Sequence, residues 1–556
     1  MHSSLKTLEG SKAEYGGEAA SRKLRLLRDL ERRRLSRPRE VFRLHEILCF
    51  LRAYPDDEKV LRRVERMLDA FDRRADLRRH RRALADTGIA GTPIRYSFFW
   101  STARWLTRRW PERLTLDWSG FEKGDALVEL LALLLPYNET LALDETDLTP
   151  RQWVRLLKGP DETDAAFLIR RFERLPADDF GREKAFDDLD LRVVLSPGPD
   201  TPSRTRAKVP GSSVAFQAGP LSRSRPDLRR EVLRRPRVVR PATPDEARRL
   251  IFLARCAMAT RERDLYVFEH ADPEDVRLVE AGPGLWFAFI GTACERRLLL
   301  ESNYGCLTLK NGVPIGYALV ASLFNSSEVA FNTFETFRGA ESAFVFARLL
   351  AASRALFGAD SFTLDPFQIG DDNPEALKSG AWWFYQKLGF APLDAGTCRL
   401  MRRELARMKK DPRHRSDIAT LKELASEGLF LQLAGPRPDV MGRIALGGIG
   451  RAIVRYVAAR FGSAREAAQR TCSREAAKLL GLRSLRGFSK GERQAWTRWS
   501  PLVLALPGVE RWSLEQRKAL ARVVRAKGGR RESDFVALFD RHRKLRRAIL
   551  KLAEGG

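Results

Sequence analysis

Three stretches of the chain carry side chains able to do chemistry. The first is Phe337-Arg338-Gly339-Ala340-Glu341-Ser342-Ala343, where an arginine, a glycine and small residues precede an amphipathic helical pattern. N–H groups at the start of a helix point outward and the helix dipole favours negative charge, so such a turn suits an anion. Arg338 adds a charge-assisted donor, and the small side chains of Gly339, Ala340, Ser342 and Ala343 let a ligand approach. Glu341 is out of keeping: its carboxylate crowds an anion unless it turns away, or it serves only as a first-turn acid. The second stretch is Ala381-Trp382-Trp383-Phe384-Tyr385-Gln386-Lys387-Leu388-Gly389-Phe390, with one phenol among aromatics. The third feature is a pair of carboxylates, Glu335 and Asp365, each ending a strand-like run. A phenol donates a proton, and a carboxylate accepts one, only within hydrogen-bond reach of the reacting group. Each residue also has a plain structural use, Tyr385 as a packed ring and the acids as solvated strand ends.

Other signals carry less. Gly447-Gly448-Ile449-Gly450 imitates a dinucleotide fingerprint, but Ile453 stands where the third glycine belongs and no strand–helix–strand pattern frames it. His270 is isolated. The arginine runs 32–34, 78–82 and 541–547 are able to contact phosphates, yet they alternate with apolar residues at helical spacing and read first as solvated helix faces. Trp496 and Trp499, beside Arg493 and Arg498, suit either base stacking or core anchoring. The six cysteines show no metal-ligand or disulfide spacing, so no metal is expected.

The elements that must position these groups follow from periodicity. Residues 1–20 are small and polar and are expected to lack structure. Region 21–195 reads as a helical domain, with apolar residues at three-to-four spacing and a break at Tyr54-Pro55-Asp56-Asp57. Region 196–241 is rich in Pro, Ser, Gly and Arg and reads as a linker. Thr243-Pro244-Asp245-Glu246 is a helix start with a capping box, opening a domain over 242–405. There, strand-like runs at 285–290, 306–310, 313–323 and 328–337 precede a helix at 340–357, a short strand at 361–365 and the aromatic helix. Asn311-Gly312 marks a two-residue hairpin turn. Because a helix joins them, 331–335 and 362–365 are expected to be parallel neighbours in a mainly antiparallel sheet. From 406 to 556 the chain reads as basic and helical.

With 556 residues the chain exceeds one core, and its net charge of +28 points to an anionic partner, either nucleic acid or a phosphorylated cofactor. No apolar run approaches bilayer length, so no membrane insertion is expected, and without an apolar leader a cytoplasmic location is the expectation.

The order of elements, the ending A-x-x-x-Y-x-x-x-G-F at 381–390, and the Arg338–Ala343 turn together resemble the GNAT (N-acetyltransferase) superfamily over about 160 residues. The resemblance implies an α+β fold with a central mixed sheet and an acyl-CoA-dependent N-acyltransferase using acetyl-CoA or another acyl-CoA as donor. Arg338, Gly339, Ala340, Ser342 and Ala343 would hold the pyrophosphate. Glu335 or Asp365 would take a proton from an amine acceptor, and Tyr385 would protonate the leaving thiolate. Two alternatives stay open. One is a nucleic-acid or ribosome-associated binding protein using a degenerate scaffold with basic flanks; the other is an acyl or aminoacyl transferase with a donor other than CoA, to which the Glu341 departure points.

Overall fold

The computed structural model describes residues 3–555. The fold is mixed α/β, and the chain forms two compact units: residues 1–221 with 249–270 and 310–314, and residues 222–248 with 271–309 and 315–556. No helix among the described residues is long and apolar enough to cross a membrane.

The first unit begins with helices Ser3–Ser11, Ala19–Arg32, Pro38–Ala53 and Glu58–Asp69. The opening residues are therefore not structureless, because Leu5 and Leu8 recur at helical spacing and both are buried. The break at 54–57 works as a cap: the Asp57 carboxylate accepts from Val60 N at 2.8 Å. A second core gathers Trp100, Leu127, Trp153, Phe172 and Phe186 around a small antiparallel sheet. Its strands are β1 (Ile94–Tyr96), β2 (Leu114–Leu116) and β3 (Val193–Leu195), with β3 central. Each is too short to show a period of two in the sequence, so the region reads as helical throughout. The stretch read as a linker is in part packed. Thr205 is buried, its hydroxyl 2.9 Å from His45 Nε2 and accepting from Ala90 N at 2.8 Å. Polar side chains that find partners inside a fold leave no hydrophobic signal.

The second unit is built on an eight-stranded sheet, ordered β11-β10-β9-β8-β7-β6-β5-β4. Its strands are β4 (Val238–Pro241), β5 (Ala271–Gly282), β6 (Leu285–Thr292), β7 (Ser302–Lys310), β8 (Val313–Leu323), β9 (Ser326–Thr333), β10 (Ser361–Leu364) and β11 (Leu429–Gln432). β8 and β9 pair antiparallel; β9 and β10 pair parallel, joined by the helix Ser342–Phe357. That helix lies on one face, where Phe346 meets Phe331 at 5.2 Å and Phe357 meets Phe289 at 6.1 Å between ring centroids. Gly358, with φ +69°, ends it in the left-handed conformation. Three strands are absent from the periodicity reading. β4 falls in the Pro-rich stretch, and β11 is a short run inside a helical region. β5 carries Asp272-Pro273-Glu274-Asp275 just after its first residue, a polar segment without strand periodicity; an irregularity in its pairing with β6 between Ala271 and Val276 absorbs that segment.

The C-terminal helices account for two signals left open by the sequence. Gly448 lies in the helix Leu446–Phe461 where a Cβ would run into the carbonyl of Ala553, so the glycine serves helix crossing rather than a nucleotide. Trp496 and Trp499 are buried and donate from Nε1 to the carbonyls of Ser473 and Leu299, at 3.1 and 2.7 Å. They anchor the core.

Burial raises the pKa of several carboxyls. In the first unit Asp187 is pushed up to about 6 by burial. Glu269 is raised by burial and then by the charge of Asp264, which itself accepts from Phe99 N ahead of the helix Trp100–Arg109. In the second unit Asp275 and Asp540 each rise to about 6, again through burial. A carboxyl whose pKa is higher folded than unfolded gives stability that is complete below its unfolded value and lost as pH rises through the folded one. Thermal unfolding is therefore expected to move to lower temperature between about pH 5 and pH 8. Asp187→Asn together with Glu269→Gln should flatten that decline, and a decline left unchanged in the double variant would rule out these groups as its source.

Candidate functional site

The site forms where β9 and β10 separate. Their parallel ladder runs from Ser361–Ser326 to Thr363–Glu328 and stops; Val329 to Thr333 continue with no partner in β10. β10 ends at Leu364, and Asp365 turns the chain into the short helix Pro366–Ile369 by accepting from Phe367 N at 2.9 Å. The result is a gap in the sheet, edged by the backbone of β9.

Peptide directions along β9 are fixed by its contacts. Phe334 N donates to Ile315 O, so even-numbered residues turn their polar groups toward β8. Odd-numbered residues turn theirs toward the gap. Consistent with this, Phe331 O accepts from Gln368 Nε2 at 3.0 Å and Thr333 O accepts from Arg338 Nε at 3.2 Å. The Phe331 N–H therefore points into the gap beside its own carbonyl.

Gln368 spans the opening. The same Nε2 lies 3.1 Å from the Tyr385 hydroxyl. Because Nε2 must donate to a carbonyl, the amide orientation is settled, and the Tyr385 oxygen accepts rather than donates here. The phenol's own proton remains to be given elsewhere. Tyr385 is buried, 5.2 Å from the Phe346 ring, so it stands on the helix-bearing face of the sheet. Burial raises its pKa, which favours the protonated phenol.

The other face carries a carboxylate that sequence reasoning missed. Alternation along β9 places Glu328 opposite in sense to Phe331 and on the same side as Ser326. On that side the loop around Met441 crosses the strands: Met441 N donates to Ser326 Oγ at 3.0 Å and Met441 O accepts from Thr363 Oγ1 at 2.7 Å. Glu328 is pushed up to about 7, first by burial and then by the charges of Asp365 and Glu301. It makes no hydrogen bond or ion pair among the described residues. An unpaired, half-buried carboxylate with a near-neutral pKa at the last rung of a ladder is equipped to accept a proton.

The remaining expected residues fall around this gap. Glu335 is exposed in a 3-10 turn, Glu335–Phe337, rather than on the strand. Arg338 is exposed and pairs with Glu375 at 2.5 Å. Gly339 has φ +77° and nothing within 4 Å of where a Cβ would stand, so the turn is open. Ser342 and Ala343 begin the helix Ser342–Phe357, which has no side-chain cap. Its first N–H groups have no intrahelical acceptor. Ala340 is buried beneath the turn, its N–H donating to Phe337 O. Glu341 Oε1 accepts from Ser222 N at 3.3 Å, so one carboxylate oxygen is engaged with the preceding segment. No group of side chains arranged to hold a metal ion is found among the described residues.

Glu328 was legible only as one acid within a strand, because its importance depends on where the ladder with β10 ends. No known family model, curated protein or solved structure matches the chain.

Proposed function

We propose that the chain is an acyl-CoA-dependent N-acyltransferase whose donor and acceptor meet in the gap between β9 and β10. The observation that carries this reading is the placement of Tyr385 and Glu328 on opposite faces of that gap, with the Phe331 N–H between them. The donor lies on the helix-bearing face. Its pyrophosphate meets the N–H groups of Ser342 and Ala343, the turn at Gly339 and Ala340, and Arg338. The Arg338–Glu375 pair is exposed, and such pairs contribute only about 0–1 kcal/mol, so a multiply charged phosphate displaces Glu375.

The thioester carbonyl occupies the gap, polarised by the Phe331 N–H. The amine approaches from the Glu328 face, where the charges of Glu328, Asp365 and Glu301 attract an ammonium. Glu328 takes its proton and the neutral nitrogen attacks the carbonyl carbon. As the carbon–nitrogen bond forms and the carbon–sulfur bond breaks, Tyr385 donates its proton to the departing thiolate, and the second proton lost by the nitrogen passes through solvent to restore the phenol. Amide and free thiol result. Glu328 takes the role of base in preference to Glu335, which faces solvent, and to Asp365, whose carboxylate caps a helix; Asp365 acts on Glu328 through its charge.

The test is release of free thiol from acetyl-CoA and longer acyl-CoA donors over a panel of primary amines. Activity should appear with at least one amine, and Tyr385→Phe should lower turnover by about tenfold or more while leaving donor affinity almost unchanged, because the phenol proton matters only as the thiolate forms. Arg338→Ala should do the reverse, weakening donor binding with turnover nearly preserved at saturation. Full turnover in Tyr385→Phe would make the tyrosine a packing residue and remove the acid from the scheme.

A further inference from the structure

The acyl-transfer scheme makes no use of the arginine run 78–82. In the first unit, Arg78 and Arg81 open onto a cleft of about 330 Å³ whose other walls include Leu77, Arg206 and the Pro197-Gly198-Pro199 turn. The run reads as a solvated helix face in the sequence, but the helix Ala75–Arg79 is a single short piece, and the chain then turns so that Arg81 stands over the same cleft.

The charges in the cleft are unequally committed. Arg206 donates to Asp72 Oδ2 and to the Gly198 carbonyl, each at 3.0 Å, so Asp72 is neutralised where it stands. Arg78 and Arg81 are not neutralised: among the described residues no carboxylate lies within ion-pair distance of either. Two guanidiniums on one concave surface repel each other, and a dianion between them removes the repulsion while accepting from their planar forks. Pro197 and Pro199 add apolar wall. The volume lies at the small end of ligand sites, suited to a compact molecule rather than a long cofactor.

We propose that this cleft binds a phosphomonoester dianion carried on a small, partly apolar body, of the size and chemistry of a nucleoside monophosphate. The phosphate lies between Arg78 and Arg81, and the body rests on the two prolines. The inference stands apart from the acyl-transfer reading, since none of these residues enters that scheme.

The experiment is a calorimetric titration of the full chain at low salt with adenosine 5′-monophosphate, adenosine and inorganic phosphate. The monophosphate should bind, more tightly than inorganic phosphate, and adenosine should not. Arg78→Gln with Arg81→Gln should weaken monophosphate binding by about tenfold or more, as loss of charge-assisted phosphate contacts requires. Both side chains are exposed, so circular dichroism should show the fold intact. Arg470→Gln with Arg474→Gln removes the same charge from the helix Arg465–Leu479 and should leave binding unchanged, as should Arg338→Ala. Absence of binding at millimolar monophosphate overturns the proposal. So does equal weakening by the control pair, which would show diffuse charge, or a loss confined to Arg338→Ala, which would place the ligand elsewhere. Equal affinity for inorganic phosphate would remove the apolar contribution. Binding of a single-stranded oligonucleotide that is lost in the Arg78/Arg81 variant but not displaced by the monophosphate would assign the run to a nucleic-acid backbone instead.

Discussion

Replacing Glu328 by Gln should lower turnover by about a hundredfold or more, the range that general-base catalysis supplies, while leaving donor affinity intact. The substitution keeps the shape of the side chain and removes its ability to accept a proton. It removes no hydrogen bond or ion pair, since Glu328 has none among the described residues, so stability should hold. The pH dependence gives the sharper check. A base must be deprotonated to act, so kcat/KM in the parent should rise with pH and level off above about 7, where Glu328 loses its proton. In Glu328→Gln that limb should vanish along with the rate. A variant that retains the limb would assign it to another group, with Glu335 and Asp365 the next to replace.

The largest expected loss of stability comes from Glu532→Ala. Glu532 and Lys527 form a buried ion pair at 2.6 Å with almost no exposure of either side chain. The carboxylate also accepts from Asn303 N at 3.3 Å, tying the helix Glu532–Arg541 to β7. The Glu532 N–H donates to Asp275, which in turn accepts from the Tyr304 hydroxyl at 2.6 Å. Removing only the glutamate leaves an ammonium in the interior with no counter-charge, facing the backbone carbonyls of Leu300 and Glu301 and the ring of Phe535. Breaking one side of such a pair costs about 3–5 kcal/mol, while replacing both members by apolar groups is often close to neutral. The single variant should therefore unfold on the order of 10 °C below the parent. Adding Lys527→Met should recover most of that loss. An unchanged melting temperature in Glu532→Ala would show that the pair contributes nothing net.

How much of this was legible in the sequence depends on the range of the signal. The parallel sense of β9 and β10 was readable because parallel strands need a crossover and a helical period separates the two runs, but the residues were not: the pairing falls at 326–328 with 361–363 rather than at 331–335 with 362–365. The Arg338–Gly339 turn before the helix Ser342–Phe357 was readable for the same local reason, as were the break at 54–57 and the cap at Thr243. Glu328 and Gln368 were not. A ladder ending at Thr363 is a statement about register between segments more than thirty residues apart, and no periodicity within either segment encodes it. Glu335 does not end the strand as its strand-like run suggests, since the chain leaves the sheet after Thr333 and enters a 3-10 turn. Thr205 and the strand β5 were missed for a different reason. Polar groups satisfied inside a fold look, residue by residue, like polar groups left in water.

The most direct measurement of the central claim is calorimetric titration of the full chain with acetyl-CoA, repeated with Arg338→Ala. Binding should saturate with a dissociation constant on the order of micromolar and weaken about tenfold or more with the arginine substitution. No heat of binding at millimolar acetyl-CoA or longer acyl-CoA, or binding indifferent to Arg338, would contradict it.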